Sequence, residues 1–89
     1  MSATKQKIRI LIADDHPVVR KGLQSCLAKQ ERCKIVGEAA DGDEALQKTR
    51  ELAPDVVLMD ISMPRMNGLA VTEVLRKEAP DVVYVTLSP

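Results

Sequence analysis

The chain has 89 residues, thirteen basic and thirteen acidic side chains, and a formal net charge of zero, which gives one small domain with a single core. The charge balance makes this segment a poor candidate for polyanion binding, and no apolar run approaches the roughly 20 residues of a membrane span. One Tyr, with no Phe or Trp, excludes an aromatic platform for stacked bases and leaves the core to Val, Leu, Ile, Ala and Met. The N-terminal "MSATKQK" has no apolar run behind its charges, so the chain is expected to be soluble and cytoplasmic, with no membrane or nucleic-acid partner for this segment. Cys26 and Cys33 lack the spacing of a disulfide framework or a zinc site and are expected to be buried thiols.

Residues 8–13, "IRILIA", are apolar and β-branched with one charge, as in a strand buried on both faces. After Asp14 and Asp15, "HPVVRKGLQSCLAK" predicts a helix with Pro17 at its first position and Val19, Leu23, Cys26 and Leu27 on one face. "CKIVGEA" (33–39) predicts a second strand. Asp41 is a cap for "GDEALQKTRELA", whose inward side is Ala45, Thr49, Leu52 and Ala53, and Pro54 stops that helix. "DVVLMD" (55–60) predicts a third strand and "ISMPRMNG" a loop shaped by Pro64 and Gly68. "LAVTEVLRKEA" predicts a third helix with Val71, Val74 and Leu75 inward, and "VVYVTLS" a fourth strand. The order βαβαβαβ implies an α/β fold: a doubly wound parallel sheet with right-handed crossovers and helices on both faces. No linker or internal boundary is expected within residues 1–89, and a sheet that stops on an apolar strand suggests a domain that ends early.

In open parallel sheets the ligand site lies beyond the carboxyl ends of the strands. Asp14 and Asp15 end the first predicted strand, Asp60 the third and Ser88 the fourth. Adjacent carboxylates repel unless a cation or shared proton relieves them. Hard oxygen ligands that form an incomplete cage suit Mg²⁺, which keeps open positions for water or a phosphate oxygen. A cation there would let an anionic phosphoryl group approach Asp60, a carboxylate able to act as nucleophile. The plainer readings are that Asp60 caps a turn and that the acidic pair favours the macrodipole of the helix beginning near Pro17. His16 before Pro is read as a helix-leading residue with no chemistry, since Mg²⁺ favours oxygen. Met59, Met63 and Met66 are read as packing and loop residues, and Arg20 and Lys21 as a solvated helix face.

The stretches "LIADDHPVVRKGL", "VVLMDISMPRMNGL" and "VVYVTLS" together resemble the receiver domain of two-component response regulators. The "DDHPVVRKGL" form resembles the NarL/FixJ branch, in which a receiver precedes a helix-turn-helix DNA-binding domain. The likeness runs from about Ile8 to Ser88. It implies a CheY-like, flavodoxin-like sheet and a signalling phosphoacceptor, not an enzyme in the ordinary sense. Asp60 would take a phosphoryl group from a sensor histidine kinase with Mg²⁺ present. Asp15 would bind the metal directly and Asp14 in part through water, alongside Asp60 and the backbone carbonyl of Ser62. Ser88 matches the switch hydroxyl, with Thr86 a rival two residues deeper in the sheet.

Family receivers continue through a fourth helix, a fifth strand carrying a Lys that pairs with the phosphoryl group, and a fifth helix. None follows Ser88 here, so the expectation is an incomplete receiver whose parent regulates transcription, with DNA contacted only through a domain outside residues 1–89. A homodimer is a possible partner state, although the usual dimer surface belongs to the absent part. Two other readings stay open. A phosphohydrolase with an aspartyl-phosphate would want an acid where Ser62 stands, and a non-phosphorylated interaction module would use the same fold for protein contacts.

Overall fold

The computed structural model describes residues 7–60 and 68–87, with the backbone alone at residues 60, 68–70, 72, 86 and 87. The elements run β1 (Ile8–Ala13), α1 (Pro17–Ala28), β2 (Cys33–Ala39), α2 (Gly42–Leu52), β3 (Val56–Asp60), α3 (Gly68–Glu78) and β4 (Val83–Leu87). All pairs are parallel, in the order β2-β1-β3-β4. The step from β1 to β2 runs one way across the sheet and the later steps run the other way. Right-handed crossovers therefore put α1 on one face and α2 and α3 on the opposite face.

Side-chain alternation sorts the core accordingly. Leu11, Ala13, Ala39, Val57 and Met59 point to the α2/α3 side and close with Ala45 and Leu75 into a buried cluster. Ile10 and Ile12, also buried, alternate with them and face the α1 side. At the N-terminal edge of the sheet, Arg9 fixes the register. Its N–H donates to Asp55 Oδ2 at 2.9 Å, its Nη1 donates to the Ala53 carbonyl at 2.9 Å, and its carbonyl accepts from Asp55 N at 2.8 Å. Gly37 sits just after a register shift in the β1–β2 pairing. A Cβ there would stand 2.8 Å from Leu52 Cδ1 and 3.3 Å from Leu11 Cδ1, so the missing side chain lets α2 approach the sheet.

Local chemistry sets the helix ends. Asp41 Oδ1 accepts from Glu44 N at 2.9 Å while Glu44 Oε1 accepts from Ala40 N at 2.8 Å, a reciprocal cap of the kind that holds a first turn. Ala53 is not on the helical face predicted for it; it is the C-cap, in the left-handed region at φ 47°. Pro54 disfavours helical backbone at the residue before it, which accounts for the difference. Gly68 begins α3 and is not part of the preceding loop.

Four positions expected to be buried are corrected, three of them from helical periodicity and Cys33 from its apolar strand. Val19, Cys26 and Val74 are exposed, and Cys33 is only partly covered. On α1 no residue is fully buried, because that helix lies over the β2 side of the sheet. The same placement leaves β4 uncovered on the α1 side among the described residues, with Val83 57% and Val85 41% exposed. The double covering expected for every strand therefore holds for β1 and fails for β4.

Candidate functional site

The acidic turn is built on the end of β1. Asp14 N–H donates to the Ala39 carbonyl at 2.9 Å, which extends the β1–β2 ladder by one residue and holds Asp14 at 2% exposure. Its carboxylate bends back along the chain: Asp14 Oδ1 accepts from His16 N–H at 2.8 Å, the local side-chain-to-backbone bond that Asp makes in tight turns. His16 is the N-cap residue of α1 without a side-chain cap, and Pro17 follows inside the first turn.

The imidazole of His16 stands between the two acids. Its Nδ1 lies 3.0 Å from Asp14 Oδ1, as a hydrogen bond, and 2.9 Å from Asp15 Oδ1. The second approach has ion-pair distance but not hydrogen-bond geometry, so Asp15 Oδ1 is buried and accepts no hydrogen bond among the described residues. A buried carboxylate oxygen without a donor is costly. The three donor atoms lie within 4.8 Å of one another, and adjacent ligands of an octahedral cation bound at about 2.1 Å stand roughly 3 Å apart. The Asp15 oxygen without a hydrogen bond fits a small divalent cation, while the separations near 3 Å are those of the His16 ring from each acid.

Asp60 is the last residue of β3. Ala13 pairs with Met59, so Asp14 and Asp60 leave adjacent strands at the same level, and the predicted convergence of Asp14, Asp15 and Asp60 on one sheet edge holds for the backbone. Thr86 pairs with Met59, one step short of the Asp60 level, in keeping with its reading as the deeper candidate. Ser62, Ser88, Met63, Pro64 and Met66 lie outside the described residues, as does the side chain of Asp60.

Two residues given no role by sequence belong to this site. His16 bridges the acids. Arg20, expected on a solvated face, is only 18% exposed at its side chain. Its Nη1 donates to the Asp14 carbonyl and its Nε donates to Glu38 Oε1 at 3.0 Å. The available signal was its position one turn into α1, where a cation opposes the helix macrodipole and calls for a partner. That partner sits 18 residues away on β2, beyond the reach of a local pattern.

Elsewhere the described surface is chemically quieter. A cleft of about 490 Å³ lined by Thr49, Ala53, Leu75, Ala79 and Val82 opens at the opposite, N-terminal edge of the sheet. Its rim carries Arg50 and Glu78, which satisfy each other through bonds of 2.6 and 2.8 Å. That hydrogen bond holds the exposed Glu78 carboxyl below its ordinary range and the guanidinium above its own. Among the described residues no helix is long and apolar enough to cross a membrane.

The chain is similar to known proteins along most of its length. The model of the response regulator receiver domain matches residues 10–88. Over 81 residues the chain is 46% identical to the response regulator GacA of Pseudomonas viridiflava and 47% identical to the transcriptional regulatory protein YhcZ of Bacillus subtilis, covering 91% of this chain and 38% of each relative. The chain thus spans well under half the length of these relatives. Among solved structures it superposes on the response regulator domain of Thermotoga maritima CheB with a TM-score of 0.86 and 37% identity, covering 93% of this chain and 61% of that one. A LuxR-family two-component response regulator from an Aurantimonas species gives a TM-score of 0.87 at 32% identity, covering 93% and 59%.

Proposed function

The chain belongs to the response regulator receiver family, and from that premise we propose that it accepts a phosphoryl group on Asp60 from the phosphohistidine of a sensor kinase, with Mg²⁺ held at Asp14 and Asp15. The observation that carries the proposal is the buried Asp15 oxygen beside Asp14, which accepts no hydrogen bond among the described residues, at the level where β3 ends in Asp60. A fold that keeps such an oxygen without a hydrogen bond gains by binding a cation there.

In the proposed transfer, an Asp60 carboxylate oxygen forms a bond to phosphorus while the phosphorus–nitrogen bond to the kinase imidazole breaks. The imidazole leaves with the bonding pair and takes its proton from water. Bound Mg²⁺ would supply positive charge that offsets repulsion between the incoming phosphoryl oxygens and the acids. Asp14 is suited to a fixed role because it is buried and bonded through its N–H, its carbonyl and its carboxylate. Asp15, with its open oxygen, is suited to direct ligation. The Ser62 carbonyl would complete the ligand set, and the Ser88 hydroxyl would turn toward the phosphoryl group and shift the populations of the elements around it. The parent protein is proposed to regulate transcription from the cytoplasm, with its DNA contacts made outside these residues.

The test is an amide NMR spectrum of the 89-residue chain with and without Mg²⁺, with Asp15→Asn as control. The proposal expects resonances of residues 13–16 and 59–60 to move in the wild type and to stay fixed in the variant. Dispersed spectra indifferent to Mg²⁺ would contradict it and favour an interaction module that keeps the fold without phosphorylation.

A further inference from the structure

Arg20 carries the strongest unassigned arrangement in the molecule. A mostly buried guanidinium on α1 makes two bonds with different partners: Nη1 to the carbonyl of Asp14, and Nε to the Glu38 carboxylate one residue before Ala39. Ala39 in turn receives the Asp14 N–H. The amide groups on either side of Asp14 are thus tied to the end of β2, one directly and one through Arg20. The Asp14 carbonyl belongs to the peptide that leads into Asp15, so its orientation sets where the Asp15 carboxylate emerges.

We infer that Arg20 is a positioning residue for the cation site: by clamping the Asp14–Asp15 peptide to Glu38, it holds the Asp15 carboxylate where a divalent cation binds. The inference rests on the cation reading given above. Its signature is a sign. Arg20 is itself a cation near the acids, so as a mere charge it repels a bound cation, and neutralising it would tighten binding. As a clamp it does the opposite, and its removal weakens binding. Lys retains the charge but lacks the planar fork that addresses two acceptors at fixed angles. Removal of groups that orient metal ligands commonly weakens affinity by about 10- to 100-fold.

The experiment is calorimetric titration of Mg²⁺ into the wild-type chain, Arg20→Gln and Arg20→Lys, with a thermal melt of each to establish the folded fraction. The expected result is a dissociation constant raised about tenfold or more in both variants, after correction for any unfolded protein. An unchanged constant in folded Arg20→Gln, or a lower one, would overturn the inference while leaving the cation site intact. Wild-type affinity in Arg20→Lys would overturn the two-point clamp, and that variant decides alone where Arg20→Gln does not fold. Absence of binding by the wild type would overturn both this inference and the cation reading.

Discussion

Replacing Asp15 with Asn is expected to stabilise the protein in the absence of divalent cations and to remove its stabilisation by Mg²⁺. The ligand atoms of Asp14 and Asp15 lie within 4.8 Å of each other. Two unit charges at that separation repel by roughly 3.5 kcal/mol at an effective dielectric near 20, and by about 0.9 kcal/mol in bulk water. The Asp15 side chain is 26% exposed and the His16 ring approaches both acids, so the working value lies between these limits, at about 1–2 kcal/mol. For a domain of this size that corresponds to a rise in melting temperature of roughly 5–10 °C. Mg²⁺ at ten times its dissociation constant would stabilise the wild type by about 1.4 kcal/mol, which brings it level with the variant. Thermal unfolding followed by far-UV circular dichroism, in chelator and then in excess Mg²⁺, measures both terms. A variant that melts at or below the wild-type temperature in chelator would show that the acidic pair carries no electrostatic load.

Gly37→Ala should lower the urea midpoint, with a loss of about 1–2 kcal/mol, since the new methyl lies 2.8 Å from Leu52 Cδ1 and 3.3 Å from the buried Leu11; an unchanged midpoint would mean that the Leu52 side chain turns aside without cost. Ala53→Gly should raise the midpoint slightly, by roughly 0.5 kcal/mol, because relief at φ 47° exceeds the extra entropy of Gly in the unfolded chain; a loss would count against the left-handed cap. Tyr84 is the sole tyrosine, and burial pushes its hydroxyl above the ordinary value of 10.0. Its contribution to stability is therefore complete below the unfolded-state value and is lost as pH rises through the folded-state value. Absorbance titration of the native chain should give a later midpoint than titration in urea, and equal midpoints would refute the effect.

Much of the fold was legible because local rules and tertiary demands agree. The limits of β1 and β2 coincide with the sequence reading, set by Asp14 at one end and by the apolar run opening at Cys33. Asp41 caps α2 as its residue type implies. The misreadings fall where local pattern is silent. Periodicity tells which side of a helix is apolar but not how much sheet lies beneath it, so Val19, Cys26 and Val74 were placed inside and are exposed. Ala53 continued a helical stripe, yet the proline after it disfavours that backbone. The positions of Asp14, Asp15 and Asp60 at strand ends were legible from the runs of apolar residues before them. Arg20 was not, because its bond to Glu38 depends on how α1 settles against β2, a tertiary fact without a short-range signature.

In the proposed reading the acidic turn serves Asp60 as a phosphoacceptor. The most direct measurement is the intact mass of the chain after exposure to a small acyl phosphate with Mg²⁺, followed by fragmentation to locate any adduct. The expected result is a gain of one phosphoryl group on Asp60 that requires Mg²⁺ and disappears in both Asp60→Asn and Asp15→Asn. An unmodified chain, or an adduct that persists in Asp60→Asn, would contradict it.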